Sequence, residues 1–99
     1  MPPFLIILKK NKVRRDTLHV LLVDDDSTDR ELFIDAINML GKHYVVTEAS
    51  DGANAIQILE DAERLPDLII LDLNMPVKDG RRTLLELKQH EAFKSIPVC

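Results

Sequence analysis

The sequence has one cysteine, no long apolar run and no excess of positive charge. Because Cys99 is the only cysteine, neither an intrachain disulfide nor a cysteine metal cluster can form, and a reducing cytoplasm is the expected compartment. The apolar residues 4–8 fall far short of the roughly 20 that a membrane helix requires, and the basic residues 9–15 follow them instead of preceding them as in an export signal. The net charge of −4 argues against nucleic acid or an anionic membrane as a partner.

The remaining composition, 45% hydrophobic and 30% charged over 99 residues, is that of one folded domain. From residue 19 onward, apolar runs of strand length alternate with amphipathic stretches of helix length, which predicts βαβ units around a parallel sheet. Strands are expected at residues 19–23, 44–49 and 68–71, and a fourth begins at 96–99. The run 44–49 is the more polar one and is therefore placed at a sheet edge.

Three amphipathic helices are expected between these strands. Ser27 or Thr28 is the predicted N-cap of the first, with Glu31 as a capping-box partner, and Gly41 is its predicted C-cap. The other two are expected over residues 53–63 and 81–90, the latter after a loop holding Pro76, Asp79 and Gly80. The residues expected to face inward are Phe33, Ile37 and Leu40, flanked by Leu32 and Ala36, then Ala55, Ile56 and Leu59, and finally Leu84, Leu85 and Leu87.

Aspartates follow both of the strands that are expected to be buried. Asp24 and Asp25 come directly after the first strand, and Asp72 comes directly after the third. Ligands of open parallel sheets bind beyond the carboxyl ends of the strands, where these side chains would converge. Three ionised carboxylates repel one another, so either their pKa values rise or a cation lies among them. Oxygen ligands without nearby His or Cys favour Mg²⁺.

A divalent cation beside an exposed carboxylate also suits phosphoryl transfer, with one aspartate as the nucleophile. Asp72 is the best candidate because it stands alone at the end of a central strand, whereas Asp24 and Asp25 come as a pair.

Aspartates also occur in turns and helix caps for local reasons. Asp26 and Asp29 are interpreted in this way, as first-turn charges favoured by the helix dipole. Asp79-Gly80 is interpreted as a turn, and Met75 as a packing residue. For Asp24, Asp25 and Asp72 the shared position at one sheet edge favours the metal site.

The motifs Val23-Asp24-Asp25-Asp26-Ser27 and Leu71-Asp72-Leu73-Asn74-Met75-Pro76, with Asp79-Gly80, resemble the receiver domain of bacterial two-component response regulators. The resemblance runs from residue 19 to residue 99, after an atypical extension at 1–18. The sequence around Asp72 is most similar to that of the single-domain regulators that are paired with bacterial phytochromes. The resemblance implies a flavodoxin-like, doubly wound parallel sheet with strand order 2-1-3-4-5.

The resemblance implies that Asp72 accepts a phosphoryl group from a histidine kinase or a phosphotransfer protein in the cytoplasm. Asp25, Asp72 and the backbone carbonyl of Asn74 would bind Mg²⁺ directly, and Asp24 would bind it largely through water. Such a domain is not an enzyme beyond its own phosphorylation and dephosphorylation.

The family also carries a Ser or Thr after the fourth strand and a Lys after the fifth, and this sequence stops within the fourth strand. We therefore expect the C-terminal part of the domain to be missing and phosphorylation to be impaired. Residues 4–8 are expected either to cover the exposed sheet, within the chain or in a swapped homodimer, or to be an arm without a structural role.

Two other functions remain open. Asp24, Asp26 and Thr28 fit the D-x-D-x-T nucleophile motif of haloacid-dehalogenase-type phosphatases, although the downstream motifs of that class are absent from the sequence. A degenerate receiver, acting as an interaction module or a phosphate sink, is the second alternative.

Overall fold

A computed structural model describes residues 17–41, 43–72, 75 and 77–99. The expectations for residues 1–16, including the segment 4–8, and for Asn74 and Pro76 lie outside these residues. Within the described residues no helix has the length and apolar character to cross a membrane.

Strands and helices alternate along the described chain, as the sequence predicts. Their bounds are β1 Leu18–Val23, α1 Ser27–Asn38, β2 Tyr44–Ala49, α2 Gly52–Asp61, β3 Leu68–Leu71 and α3 Val77–Gln89. The helix α3 begins four residues earlier than expected, so Asp79 and Gly80 lie in its first turn and the prediction of a loop at these residues is wrong.

The strands form a parallel sheet with the order β2-β1-β3. β1 is the central strand and β2 lies at the edge, as predicted. On the far side of β3 the chain segment 97–99 runs parallel to it, because the Ile69 N–H donates to the Pro97 carbonyl at 2.9 Å and the Cys99 N–H donates to the Ile69 carbonyl at 2.8 Å. This pairing, which forms one bridge between Ile69 and Val98, confirms that a fourth strand begins near residue 96.

The sheet buries apolar side chains on both faces because successive residues of a strand point to opposite sides. On one face Leu21 and Val23 of β1 pack with a cluster completed by Ala49, Ala55, Leu59, Ile69, Leu71, Met75, Leu87, Phe93 and Ile96. On the other face Leu18 and Val20 pack with Leu68 and the half-buried Tyr44, Val46 and Ile70. β1 is thus held from both sides, and the ends of β1 and β3 are placed rigidly next to each other.

The N-cap of α1 is Asp26, so the prediction of Ser27 or Thr28 with a Glu31 capping box is wrong. The backbone of Asp26 is extended (φ −99°, ψ 113°), and its carboxylate accepts from the N–H groups of Thr28 at 2.8 Å and Asp29 at 3.4 Å. At the other end the helix stops at Asn38 with Met39 as the C-cap, and Gly41 adopts a positive φ of 130° in the following turn.

The inward face of α1 is narrower than the apolar pattern predicts. Ile37 is buried, whereas Leu32 and Leu40 are 63% and 60% exposed and Ala36 is also exposed. In α2 the prediction is confirmed, since Ala55 and Leu59 are buried and Ile56 packs against them. In α3 Leu87 is buried and Leu84 is partly buried, but Leu85 is 60% exposed and Thr83 is buried in its place.

Thr83 is buried because α2 and α3 approach closely at Gly52. A Cβ atom on Gly52 would overlap with Thr83 Oγ1 and lie 3.0 Å from Thr83 Cβ. The Thr83 hydroxyl donates to the Asp79 carbonyl at 2.7 Å, which holds it in this position. The close contact between the start of α2 and Thr83 of α3 therefore requires glycine at position 52.

We expect Gly52→Ala to lower the free energy of unfolding by about 2 kcal/mol, because the new methyl group must displace Thr83 or separate the helices. Chemical denaturation followed by circular dichroism measures the change. In a Thr83→Ala background the nearest atom is removed, so the same substitution should cost less. An equal cost in both backgrounds would contradict this account of the contact.

Candidate functional site

Three aspartates meet at the carboxyl edge of the sheet. Asp24 and Asp25 follow β1, Asp72 follows β3, and the two strands are neighbours. One carboxylate oxygen from each of the three lies within 4.8 Å of the others. The three side chains, called the acidic pocket below, are those that the sequence predicts to converge, while the Asn74 predicted to join them lies outside the described residues.

Main-chain hydrogen bonds fix the ends of the strands that carry the acidic pocket. The Asp72 N–H donates to the Val23 carbonyl at 2.9 Å, and the Asp24 N–H donates to the Ala49 carbonyl at 3.1 Å. Strand pairing therefore continues up to the pocket itself, and the spacing of the aspartates is set by the backbone.

The three carboxylates differ in their exposure to solvent. Asp24 is buried, Asp72 is half-buried and Asp25 is exposed. The buried Asp24 carboxylate accepts a hydrogen bond from the Asp26 N–H at 2.9 Å. The pocket is thus open on the side of Asp25 and closed on the side of Asp24, which suits a site that a small ion enters from solvent.

Burial raises the pKa of Asp24 above its ordinary value, since the charged form loses solvation there. The hydrogen bond from the Asp26 N–H opposes this shift, while the charges of Asp72 and Asp29 and a hydrogen bond with Asp72 add to it. The folded protein therefore carries an electrostatic cost at the acidic pocket when Asp24 is ionised.

The acidic pocket fits a divalent cation with oxygen ligands. Opposite ligands of an octahedral Mg²⁺ lie about 4.2 Å apart, given metal–oxygen distances of about 2.1 Å. The 4.8 Å limit on the three oxygens is close to that spacing, so a small adjustment, or a water molecule between one carboxylate and the ion, completes the contact. A cation would also offset the repulsion from Asp72, which adds to the effect of burial on the pKa of Asp24.

Arg30 lies beside the acidic pocket, and no motif in the sequence predicts a role for it there. Its Nη1 donates to the Asp24 carbonyl at 2.6 Å, and its Nε donates to the Glu48 carboxylate at 2.9 Å. Glu48 is 18 residues away on β2, so only the sheet order and the position of α1 bring the two together. The sequence signal that could have indicated this ion pair is the opposite charge of Arg30 and Glu48 on two elements that are adjacent in the predicted fold.

The fold and the site can be compared with known proteins. A sequence profile of the response regulator receiver domain matches residues 20–99. The response regulator Rcp1 of Synechocystis sp. is 38% identical over 85 residues, which are 80% of this chain and 57% of Rcp1.

Two solved structures are similar over the same region. The phosphorylated cyanobacterial phytochrome response regulator RcpA has a TM-score of 0.72 and 35% identity, over 83% of this chain and 62% of that chain. The Mn²⁺-bound form of Rcp1 has a TM-score of 0.72 and 35% identity, over 82% of this chain and 62% of that chain. The chain thus spans less than two-thirds of each of these relatives, and its fold is the flavodoxin-like fold of receiver domains.

We expect Asp24→Asn to raise the free energy of unfolding of the cation-free protein by about 1 kcal/mol at neutral pH. The asparagine keeps the oxygen that accepts from the Asp26 N–H, but it removes a charge that is disfavoured by burial and by the neighbouring Asp72. Because the pKa of Asp24 is raised in the folded state, the folded wild type binds more protons than the unfolded chain between the ordinary value of 3.8 and the raised value. Wild-type stability therefore falls as the pH rises through that window.

The difference in free energy of unfolding between Asp24→Asn and the wild type should accordingly disappear as the pH falls toward 3.8. Urea denaturation in EDTA across this range measures it. Asp35→Asn, which neutralises an exposed aspartate of α1, is the control and should stay within about 0.5 kcal/mol of the wild type. A stability loss in Asp24→Asn at neutral pH would contradict the electrostatic account.

Proposed function

This chain belongs to the response regulator receiver domain family, and on that premise we propose that it accepts a phosphoryl group on Asp72 from a sensor histidine kinase or a phosphotransfer protein. The observation that carries the proposal is the convergence of Asp24, Asp25 and Asp72 within 4.8 Å. We assign residues 19–99 to the receiver domain, residues 1–18 to an N-terminal extension, and the protein to the cytoplasm.

In the proposed reaction a carboxylate oxygen of Asp72 forms a bond to phosphorus while the bond from phosphorus to the donor's imidazole nitrogen breaks. The electron pair of that bond stays on the nitrogen, and an acyl phosphate is left on Asp72. Asp72 suits this role because it is only half-buried, so a donor can reach it, and because its backbone is held by Val23.

Asp24 and Asp25 would hold a Mg²⁺ ion together with Asp72. When bound, the cation draws the negative groups together and offsets the charge of the phosphoryl group during transfer. The similar Rcp1 has been solved in a Mn²⁺-bound form, which supports a divalent cation, and the similar RcpA has been solved in a phosphorylated form, which supports phosphorylation. The carbonyl of Asn74 is proposed as a further ligand from the resemblance of the motif.

A haloacid-dehalogenase-type phosphatase would instead use Asp24 and Asp26. The Asp26 carboxylate accepts hydrogen bonds from Thr28 and Asp29 as the N-cap of α1, and this role leaves it less suited to acid–base chemistry. A degenerate receiver remains the alternative in which the fold is kept without phosphoryl transfer.

The test is incubation of the full chain with acetyl phosphate and Mg²⁺, followed by intact mass spectrometry. We expect part of the wild-type protein to gain the mass of one phosphoryl group, in keeping with impaired phosphorylation, and no gain in Asp72→Asn or after addition of EDTA. Asp51→Asn is the matched control, because asparagine can also act as the N-cap of α2, and this variant should be phosphorylated.

Absence of the mass gain in the wild type would favour the degenerate receiver. Hydrolysis of a generic phosphate ester that is lost in Asp24→Asn but kept in Asp72→Asn would favour the phosphatase.

A further inference from the structure

Arg30 joins three elements next to the acidic pocket. It lies in the first turn of α1, donates to the main chain at the end of β1 and pairs with Glu48 on β2. Its side chain is only 15% exposed, whereas that of Glu48 is 45% exposed. The position of the guanidinium is therefore fixed by the fold.

The two contacts of Arg30 differ in their expected effect. Because Glu48 is partly solvated, the ion pair itself should contribute little to stability. The bond to the Asp24 carbonyl is short, at 2.6 Å, and its donor is charged, which makes it one of the stronger kinds of hydrogen bond. The ion pair with Glu48 then serves mainly to orient the arginine toward this carbonyl.

The Asp24 carbonyl determines where Asp25 lies. Because a peptide unit is planar, the carbonyl oxygen of Asp24 and the nitrogen and Cα of Asp25 share one rigid plane. Arg30 holds this plane by its hydrogen bond to the Asp24 carbonyl. The rest of Asp24 is held by two other hydrogen bonds: its N–H donates to the Ala49 carbonyl, and its carboxylate accepts from the Asp26 N–H. Loss of Arg30 would free the plane to rotate and move the exposed Asp25 carboxylate.

We propose that Arg30 is a positioning residue that sets the divalent-cation affinity of the acidic pocket by holding the peptide plane between Asp24 and Asp25. This inference rests on the proposed function, since it requires that the pocket binds a cation. Arg30 does not touch the cation, and it acts through the backbone of the two aspartates. Groups that orient ligands in this way typically change metal affinity about 10-fold to 100-fold when they are removed.

The chain contains a matched control arginine. Arg64 also pairs with an aspartate, Asp67, at 3.2 Å, but it lies before β3 at the opposite end of the sheet from the acidic pocket. Arg64→Met therefore removes an arginine and an ion pair without touching the site. Because Arg64 is more exposed than Arg30, the melting temperature of each variant is needed to measure its effect on stability separately from its effect on cation binding.

The experiment titrates Mn²⁺ into the full chain and measures free Mn²⁺ by electron paramagnetic resonance, with melting temperatures recorded in EDTA. We expect Arg30→Met to raise the dissociation constant about tenfold. Arg30→Lys keeps the charge but lacks the two-pronged donor geometry, so we expect a smaller rise, roughly threefold. Arg64→Met should bind Mn²⁺ as the wild type does.

A lower melting temperature with an unchanged dissociation constant in Arg30→Met would overturn the inference, and if that variant does not fold, unchanged affinity in Arg30→Lys would overturn it. Asp72→Asn distinguishes failure of the role of Arg30 from failure of the proposed cation site. If the wild type and both Arg30 variants bind Mn²⁺ equally well and Asp72→Asn does not, the cation site stands and only the role of Arg30 is rejected. If the wild type does not bind Mn²⁺, the proposed cation site and this inference are rejected together.

Discussion

The convergence of three carboxylates at the ends of two neighbouring strands is the constraint on which the site depends. Two unit charges about 5 Å apart repel by roughly 3 kcal/mol at an effective dielectric constant of 20. Strand pairing overrides this repulsion, because the main-chain bonds of Asp24 and Asp72 and the buried side chains of β1 fix the backbone before the carboxylates can separate. Burial is the main cause of the raised pKa of Asp24, and the neighbouring charge of Asp72 adds to it.

The sequence predicts the convergence of Asp24, Asp25 and Asp72 well, because this convergence follows from the order of the strands in the sheet. Apolar runs that end in Asp24 and Asp72 indicate two buried parallel strands, and such strands end at the same edge. Local details were predicted less well. Asp26, Ser27 and Thr28 can each act as an N-cap. Which of them caps α1 depends on backbone angles, and the sequence pattern does not give these angles. Similarly, Leu32 and Leu40 fit the apolar periodicity of the first helix but are exposed in the structure. Periodicity predicts which residues share one face of a helix, but it does not predict how much of that face other elements cover.

Arg30 and Gly52 illustrate what only the three-dimensional arrangement reveals. Arg30 reaches Glu48 across 18 residues and Asp24 across six, and no short motif contains the three residues. Gly52 looks like part of a turn in the sequence, yet its function in the structure is to let Thr83 of α3 approach. In both cases the deciding contact joins elements that are distant in sequence, so chain order alone gives no distance between them.

The central claim is that Asp24, Asp25 and Asp72 share one ion. The most direct measurement is an anomalous-scattering map from crystals of the chain grown with Mn²⁺. We predict one strong peak between the three side chains, at direct ligation distance from Asp25 and Asp72 and at direct or water-bridged distance from Asp24. A map with no peak at this edge of the sheet, or with the three carboxylates turned away from one another, would contradict the account.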